Sequence, residues 1–138
     1  MSLAINIHKA AEGRLKQQIA AGKNIFYADV DEKSGGEDAG PDPHALLDAA
    51  LGACTALTVT MVAQHKKLPL TDVRITITHH EAGGVYRLQR DIELVGDLSA
   101  EQRSYLLGIA DKCPIHKALN GRFEISTALQ EPANPALK

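Results

Sequence analysis

The sequence predicts an α+β domain: a mainly antiparallel sheet built around one long buried helix. Three observations lead there. Short segments of alternating apolar and polar residues stand at both ends of the chain. Between them runs "HALLDAALGACTALTVTMVAQH", residues 44–65, dominated by alanine and leucine and free of proline. The resulting order of strands, helix, strands, helices and strand belongs to neither a βαβ array nor a bundle. At 138 residues the chain is one domain, 1–138, with enough length for a hydrophobic core.

The elements follow in order. "LAINIHKA" and "GRLKQQIA" alternate, "AAGKN" carries turn chemistry, and "IFYADV" restarts a strand, so residues 1–33 read as an amino-terminal meander. "DEKSGGEDAGPDP" is a loop, since its glycines, acids and prolines leave no element room to continue. The central helix, about 44–65, has Asp42 as cap and Pro43 in its first turn. Its apolar residues do not keep to one face, which is the pattern of a helix buried at the centre of a fold. "LTDVRITITHHE" and "GVYRLQRDIELVGD", joined by "AGG", read as a hairpin of long strands. Ser99 and Gln102 fit a capping box ahead of a helix striped by Tyr105, Leu106, Ile109 and Ala110. Pro114 starts a separate short helix, ended at Asn120–Gly121. "RFEISTAL" reads as a last strand, closing a carboxy-terminal unit over 71–129, and 130–138 as a loose tail.

Composition narrows the function classes. A net charge of −2 gives no argument for nucleic acid or an anionic membrane as partner. Residues 45–63 come closest to a membrane span, but alanines and threonines dilute the run and Asp48 sits inside it. The start "MSLAINIHKAAEGR" lacks the basic and apolar regions of a signal peptide. Two cysteines in such a chain point to a reducing, cytoplasmic setting, where a disulfide is catalytic or redox-sensing rather than structural.

Those cysteines are the candidate chemistry. Cys54 interrupts the longest apolar run, where a small soft residue can simply fill a buried helix face. Cys113 stands just before a new helix, where its sulfur faces unsatisfied amides and the positive dipole end. Pairing them would explain both: one thiolate attacks a peroxide and becomes a sulfenic acid, and the second thiol condenses with it. Zinc is a competitor, with Cys54, Cys113, His116 and His44 as possible ligands, although "CPIH" alone is no zinc pattern. Acyl transfer by Cys54 with His44 or His116 is another. The pair His79–His80 points to opposite faces of a strand and is a poor metal clamp. Gly35–Gly36 is a turn and not a phosphate loop.

"GPDPHALLDAALGACTALTV" followed by "ADKCPIHKAL", with the "GG…GP" loop before them, resembles the OsmC/Ohr family of thiol peroxidases, and the resemblance covers nearly the whole chain. It implies an intertwined homodimer with long central helices and sheets outside them. It implies reduction of organic hydroperoxides near the dimer interface, with no cofactor and no metal, and a dithiol reductant such as a lipoylated protein. Carried over by position, Cys54 is the peroxidatic thiol and Cys113 the resolving one. Arg14 falls where active members place an arginine that holds the thiolate and donates to the peroxide. Their helix glutamate is replaced here by His44, which can accept a hydrogen bond when neutral or donate weakly to the leaving alcohol. Arg14 is then left to pair with Asp48 or Glu37, or to swing away. Ten helical residues span about 15 Å, so His44 cannot touch Cys54 of its own chain. The other reading within the family is a dimeric ligand-binding or redox-sensing protein with little peroxidase activity; peroxide-dependent loss of both thiols separates the two.

Overall fold

A computed structural model describes residues 2–131. Strands β1 (Ile5–Lys9), β2 (Gln17–Ala21) and β3 (Asn24–Ala28) form an antiparallel meander in that order, with Ile7, Ile19 and Phe26 in register. Gly22, at φ 62°, makes the tight turn between β2 and β3. Ile19 is buried, while Ile5, Ile7 and Ile25 are all at least half exposed, and this sheet makes little contact with the helices.

The following loop is organised by Asp29. Its buried carboxylate accepts the N–H groups of Val30, Glu37 and Ala39. The Val30 N–H, foremost, holds its pKa below the ordinary value; burial opposes this, and the Ala39 and Glu37 N–H groups and Lys16 add to it. Gly36 is required by close approach, because a Cβ there would collide with the Val30 carbonyl and the Asp29 carboxylate.

Helix α1 (Pro43–His65) begins as its sequence dictates: the Asp42 side chain accepts the Ala45 N–H at 2.8 Å and Pro43 occupies the first turn. Leu51, Thr55, Val59 and Ala63 are its buried residues, one stripe repeating every four positions. The remainder of its apolar surface stays open, with Leu57 and Met61 about two-thirds exposed. Among the described residues the main contacts of α1 are with β4 and the two later helices. By length and composition α1 is the one helix among the described residues that could cross a membrane, so threonine and alanine dilution does not exclude that. What sets its place is packing against the core and a buried arginine network.

Strands β4 (Leu70–Ala82) and β5 (Val85–Gly96) form a long antiparallel hairpin, with Ile75 opposite Ile92 and Ile77 opposite Arg90. Gly83 and Gly84, at φ 59° and 77°, make its turn. Val73, Ile75, Ile77 and His79 of β4 share the inward register with Tyr86, Leu88, Arg90, Ile92 and Leu94 of β5. Helix α2 (Ala100–Ala110) carries the reciprocal Ser99–Gln102 capping box. Arg103 ties α2 to the carbonyls of Leu94 and Gly96. Helix α3 (Pro114–Leu119) is capped by Cys113. The core gathers Val59, Ala63, Leu98, Leu106 and Ala110, flanked by Val73, Ile92 and Leu94.

One expected element does not form. Residues 122–129 join neither sheet, and Phe123, Ile125 and Leu129 are 62, 87 and 93% exposed. Alternation specifies a face, whereas a strand exists only when its backbone finds a partner. Among the described residues none pairs with this segment. Most of the expected tail, residues 132–138, lies outside the described residues.

Candidate active site

Three elements bring the thiols together. Thr55 and Cys54 come from the middle of α1, Arg90 from the inner face of β5, and Cys113 from the junction of α2 and α3. Cys113 is fully buried, Cys54 partly so, and both are free thiols. Cys113 Sγ accepts the His116 N–H at 3.2 Å and lies 3.7 Å from Thr55 Oγ1. Cys54, next to Thr55 on α1, stands near enough to influence this thiol. Burial, the largest influence, pushes the Cys113 pKa up; the His116 N–H, the Thr55 hydroxyl, the Cys54 thiol and the Arg90 charge together hold it below the ordinary thiol value.

Arg90 is the residue that the sequence reading did not find. Its side chain is 13% exposed. Nη1 donates to Thr55 Oγ1 and to the Ala110 carbonyl, both at 3.1 Å, and Nη2 donates to Asp111 Oδ1 at 2.6 Å. Thr55 in turn donates to the Leu51 carbonyl at 2.8 Å. With that proton so committed, the Thr55 oxygen can accept from Arg90 and from the Cys113 S–H; rotated, the hydroxyl can donate to a Cys113 thiolate. The signal for Arg90 was available, since an arginine occupies an inward position of an alternating strand, where apolar residues are the rule. Beside this network a cleft of about 350 Å³ opens, lined by Leu51, Tyr86, Leu88, Arg90, His116 and Leu119.

The other expected residues lie elsewhere. Arg14 donates from Nε to the Gly35 carbonyl (3.1 Å) and from Nη2 to the Gly36 carbonyl (2.5 Å). Its backbone N–H and Nη1 meet the Glu37 carboxylate at 2.8 and 4.0 Å. Its side chain is 61% exposed, and all of these contacts are to the loop. His44, at the start of α1, has its Nε2 3.4 Å from Glu81 Oε1. There it meets a second polar cluster absent from the sequence reading. Asp48 accepts from His79 Nδ1 at 2.5 Å and from Tyr86 Oη at 2.8 Å. The His79 and Tyr86 rings stack 4.8 Å apart, with His44 tilted against both. Burial, then Asp48, pushes the Tyr86 pKa up to about 12. Asp48 thus sits inside an apolar helix because two donors satisfy it. Among the described residues no three of histidine, cysteine, aspartate and glutamate gather to hold a metal ion, and His44 stands with Glu81 and not with the thiols.

The family model described as OsmC-like protein matches residues 35–128, which span α1, the hairpin and both thiols. The chain belongs to the OsmC-like protein family. Solved members of this fold agree with the architecture. An OsmC-like protein from Mycoplasma pneumoniae superposes with a TM-score of 0.69 at 17% identity, over 88% of this chain and 89% of that one. An organic hydroperoxide resistance protein OsmC from Legionella pneumophila gives 0.61 at 20% identity, over 88% and 90%. The organic hydroperoxide resistance protein OhrB of Bacillus subtilis gives 0.55 at 18% identity, over 88% and 92%. At these identities the likeness establishes the OsmC-like fold. None of the curated proteins matches the sequence.

Proposed function

We propose that this OsmC-like chain is a thiol-dependent peroxidase that reduces organic hydroperoxides, with Cys54 as the attacking thiol and Cys113 as the resolving one. The observation that carries the reading is that Cys113, buried and bonded to the His116 N–H, lies 3.7 Å from the hydroxyl of Thr55, the residue next to the partly exposed Cys54. A peroxide reaches Cys54 first. The Cys54 thiolate attacks the O–O bond, takes the terminal OH as sulfenic acid and releases an alkoxide, which takes a proton from water to leave as the alcohol. The Cys113 thiolate then attacks that sulfur, expels hydroxide and closes a disulfide. A dithiol, such as a lipoylated protein, returns both thiols in a reducing cytoplasm.

The working unit is a homodimer. Support comes from three uncovered apolar surfaces: Leu57 and Met61 on α1, Ile5, Ile7 and Ile25 on the meander, and Ile125 and Leu129 on the unpaired segment. In that unit Arg14 and His44 of one protomer serve Cys54 of the other, Arg14 holding the thiolate and His44 meeting the leaving alcohol. Titrating the reduced protein with cumene hydroperoxide and with hydrogen peroxide, following free thiols, tests the reading. Both thiols should disappear per equivalent of the organic peroxide; thiols that persist through excess peroxide would sink it.

A further inference from the structure

The two thiols have unequal surroundings, and the inequality bears on how the disulfide is reopened. Cys113 Sγ has no exposed surface. It faces the His116 N–H at 3.2 Å and the Thr55 hydroxyl at 3.7 Å, and Arg90 Nη1 donates to that same hydroxyl. Cys54 is partly exposed on α1. Thiol–disulfide exchange is fastest when the attacked sulfur is accessible and the departing sulfur is the better thiolate. Both conditions select the same direction here.

We infer that the reductant bonds to Cys54 and that Cys113 is the leaving thiolate, received by His116 N–H, Thr55 and Arg90. This rests on the Cys54–Cys113 cycle proposed above. The step balances without a proton: the reductant thiolate forms an S–S bond to Cys54 Sγ, the Cys54–Cys113 bond breaks, and its electron pair stays on Cys113 Sγ. The reductant's second thiol then attacks its own sulfur in the mixed disulfide and passes its proton to Cys54, which leaves as a thiol. Two electrons move from the dithiol to the protein, and the reductant departs as a cyclic disulfide. Arg90 is a positioning residue in this scheme. It orients the Thr55 hydroxyl and adds positive charge, without touching the reductant. The same arrangement makes the site selective for a reductant slim enough to reach a half-buried sulfur on a helix.

The test uses the full chain, oxidised with diamide so that no peroxide chemistry is needed. Glutathione is added as a monothiol probe, the reaction is quenched with acid within the first turnover, and free thiols are capped with N-ethylmaleimide. Peptide mass spectrometry should find glutathione on Cys54 and maleimide on Cys113. The reverse pattern overturns the inference while leaving the peroxidase reading intact. Failure of diamide to form any intramolecular disulfide overturns both. A second arm uses the Cys54→Ser background, following the ultraviolet absorbance of the Cys113 thiolate against pH. Arg90→Met should move the midpoint upward and Arg90→Lys should return part of the shift, with several-fold slower glutathione opening when each is placed in the wild-type chain. A midpoint unchanged in both Arg90 variants, with folding verified by circular dichroism, removes Arg90 from the scheme.

Discussion

Arg90 and Arg14 carry the same guanidinium into opposite settings. Arg90 comes from the middle of a paired strand, is 13% exposed, and spends its donors on a hydroxyl, a carbonyl and a carboxylate around the buried thiol. Arg14 precedes a short strand, is 61% exposed, and holds the Gly35–Glu37 loop. A buried guanidinium must find its partners inside the chain, because unpaired charge there is costly. An exposed one keeps water as an alternative and contributes little to stability. The contrast separates the groups that this chain gathers around a buried thiol from those it leaves at its surface. Cys113 has its neighbours in place within the chain, whereas Arg14 and the meander stay largely exposed.

In the proposed cycle the strongest losses come from removing the thiols. Cys54→Ser should reduce peroxide consumption to background, since a hydroxyl without a general base is a far weaker nucleophile. Cys113→Ser should react once and stall, with an added oxygen on Cys54 by mass spectrometry. Sustained dithiol-driven turnover of Cys113→Ser at the wild-type rate would leave Arg90 with no thiol to serve.

Next comes stability. Arg90→Met strands Thr55 and the Ala110 carbonyl, and should lower unfolding free energy by about 2 kcal/mol, read from urea midpoints. Arg14→Met should stay within about 0.5 kcal/mol of wild type. Equal losses would erase the contrast. Arg14→Met should nonetheless slow alkylation of Cys54 at neutral pH if the dimer reading holds. Rates measured above and below the dimer dissociation range, fixed by sedimentation, decide this; an unchanged rate in the dimer marks Arg14 as a loop clamp alone.

The smallest effect concerns the cluster at the start of α1. Of three tyrosines, Tyr86 should be the one whose absorbance titrates near pH 12, and Tyr86→Phe should remove that phase. Its folded pKa lies above the unfolded value, so its contribution is complete below about pH 10 and is lost as pH rises toward 12. A tyrosine titration with all residues near 10 would break the assignment.

What was legible in the sequence was local. Asp42, the Ser99–Gln102 box and Pro114 mark their helices because a cap is satisfied within three residues. The hairpin showed itself through alternation. Arg90 was missed because its partners Thr55 and Ala110 lie 35 and 20 residues away and meet it only through strand register. Asp48 was read as a blemish in an apolar run because its donors, His79 and Tyr86, sit on a hairpin 31 and 38 residues later. The segment 122–129 was misread for the opposite reason, since its pattern is intact and no strand among the described residues pairs with it.

The Gly83–Gly84 turn has a consequence for how the molecule comes into being. Pairing of β4 with β5 can zip outward from that turn with little loop-closure entropy, one rung at a time. The neighbouring α1 can dock next. On that order Arg90 can reach Thr55 at that stage, and Cys113 is enclosed once α2 and α3, which follow in the chain, fold over it. By the same order the Cys113 thiol acquires its altered acidity at the end of assembly. Pulsed thiol labelling during refolding should find Cys113 reactive until the final phase; protection that appears together with the hairpin would contradict this order.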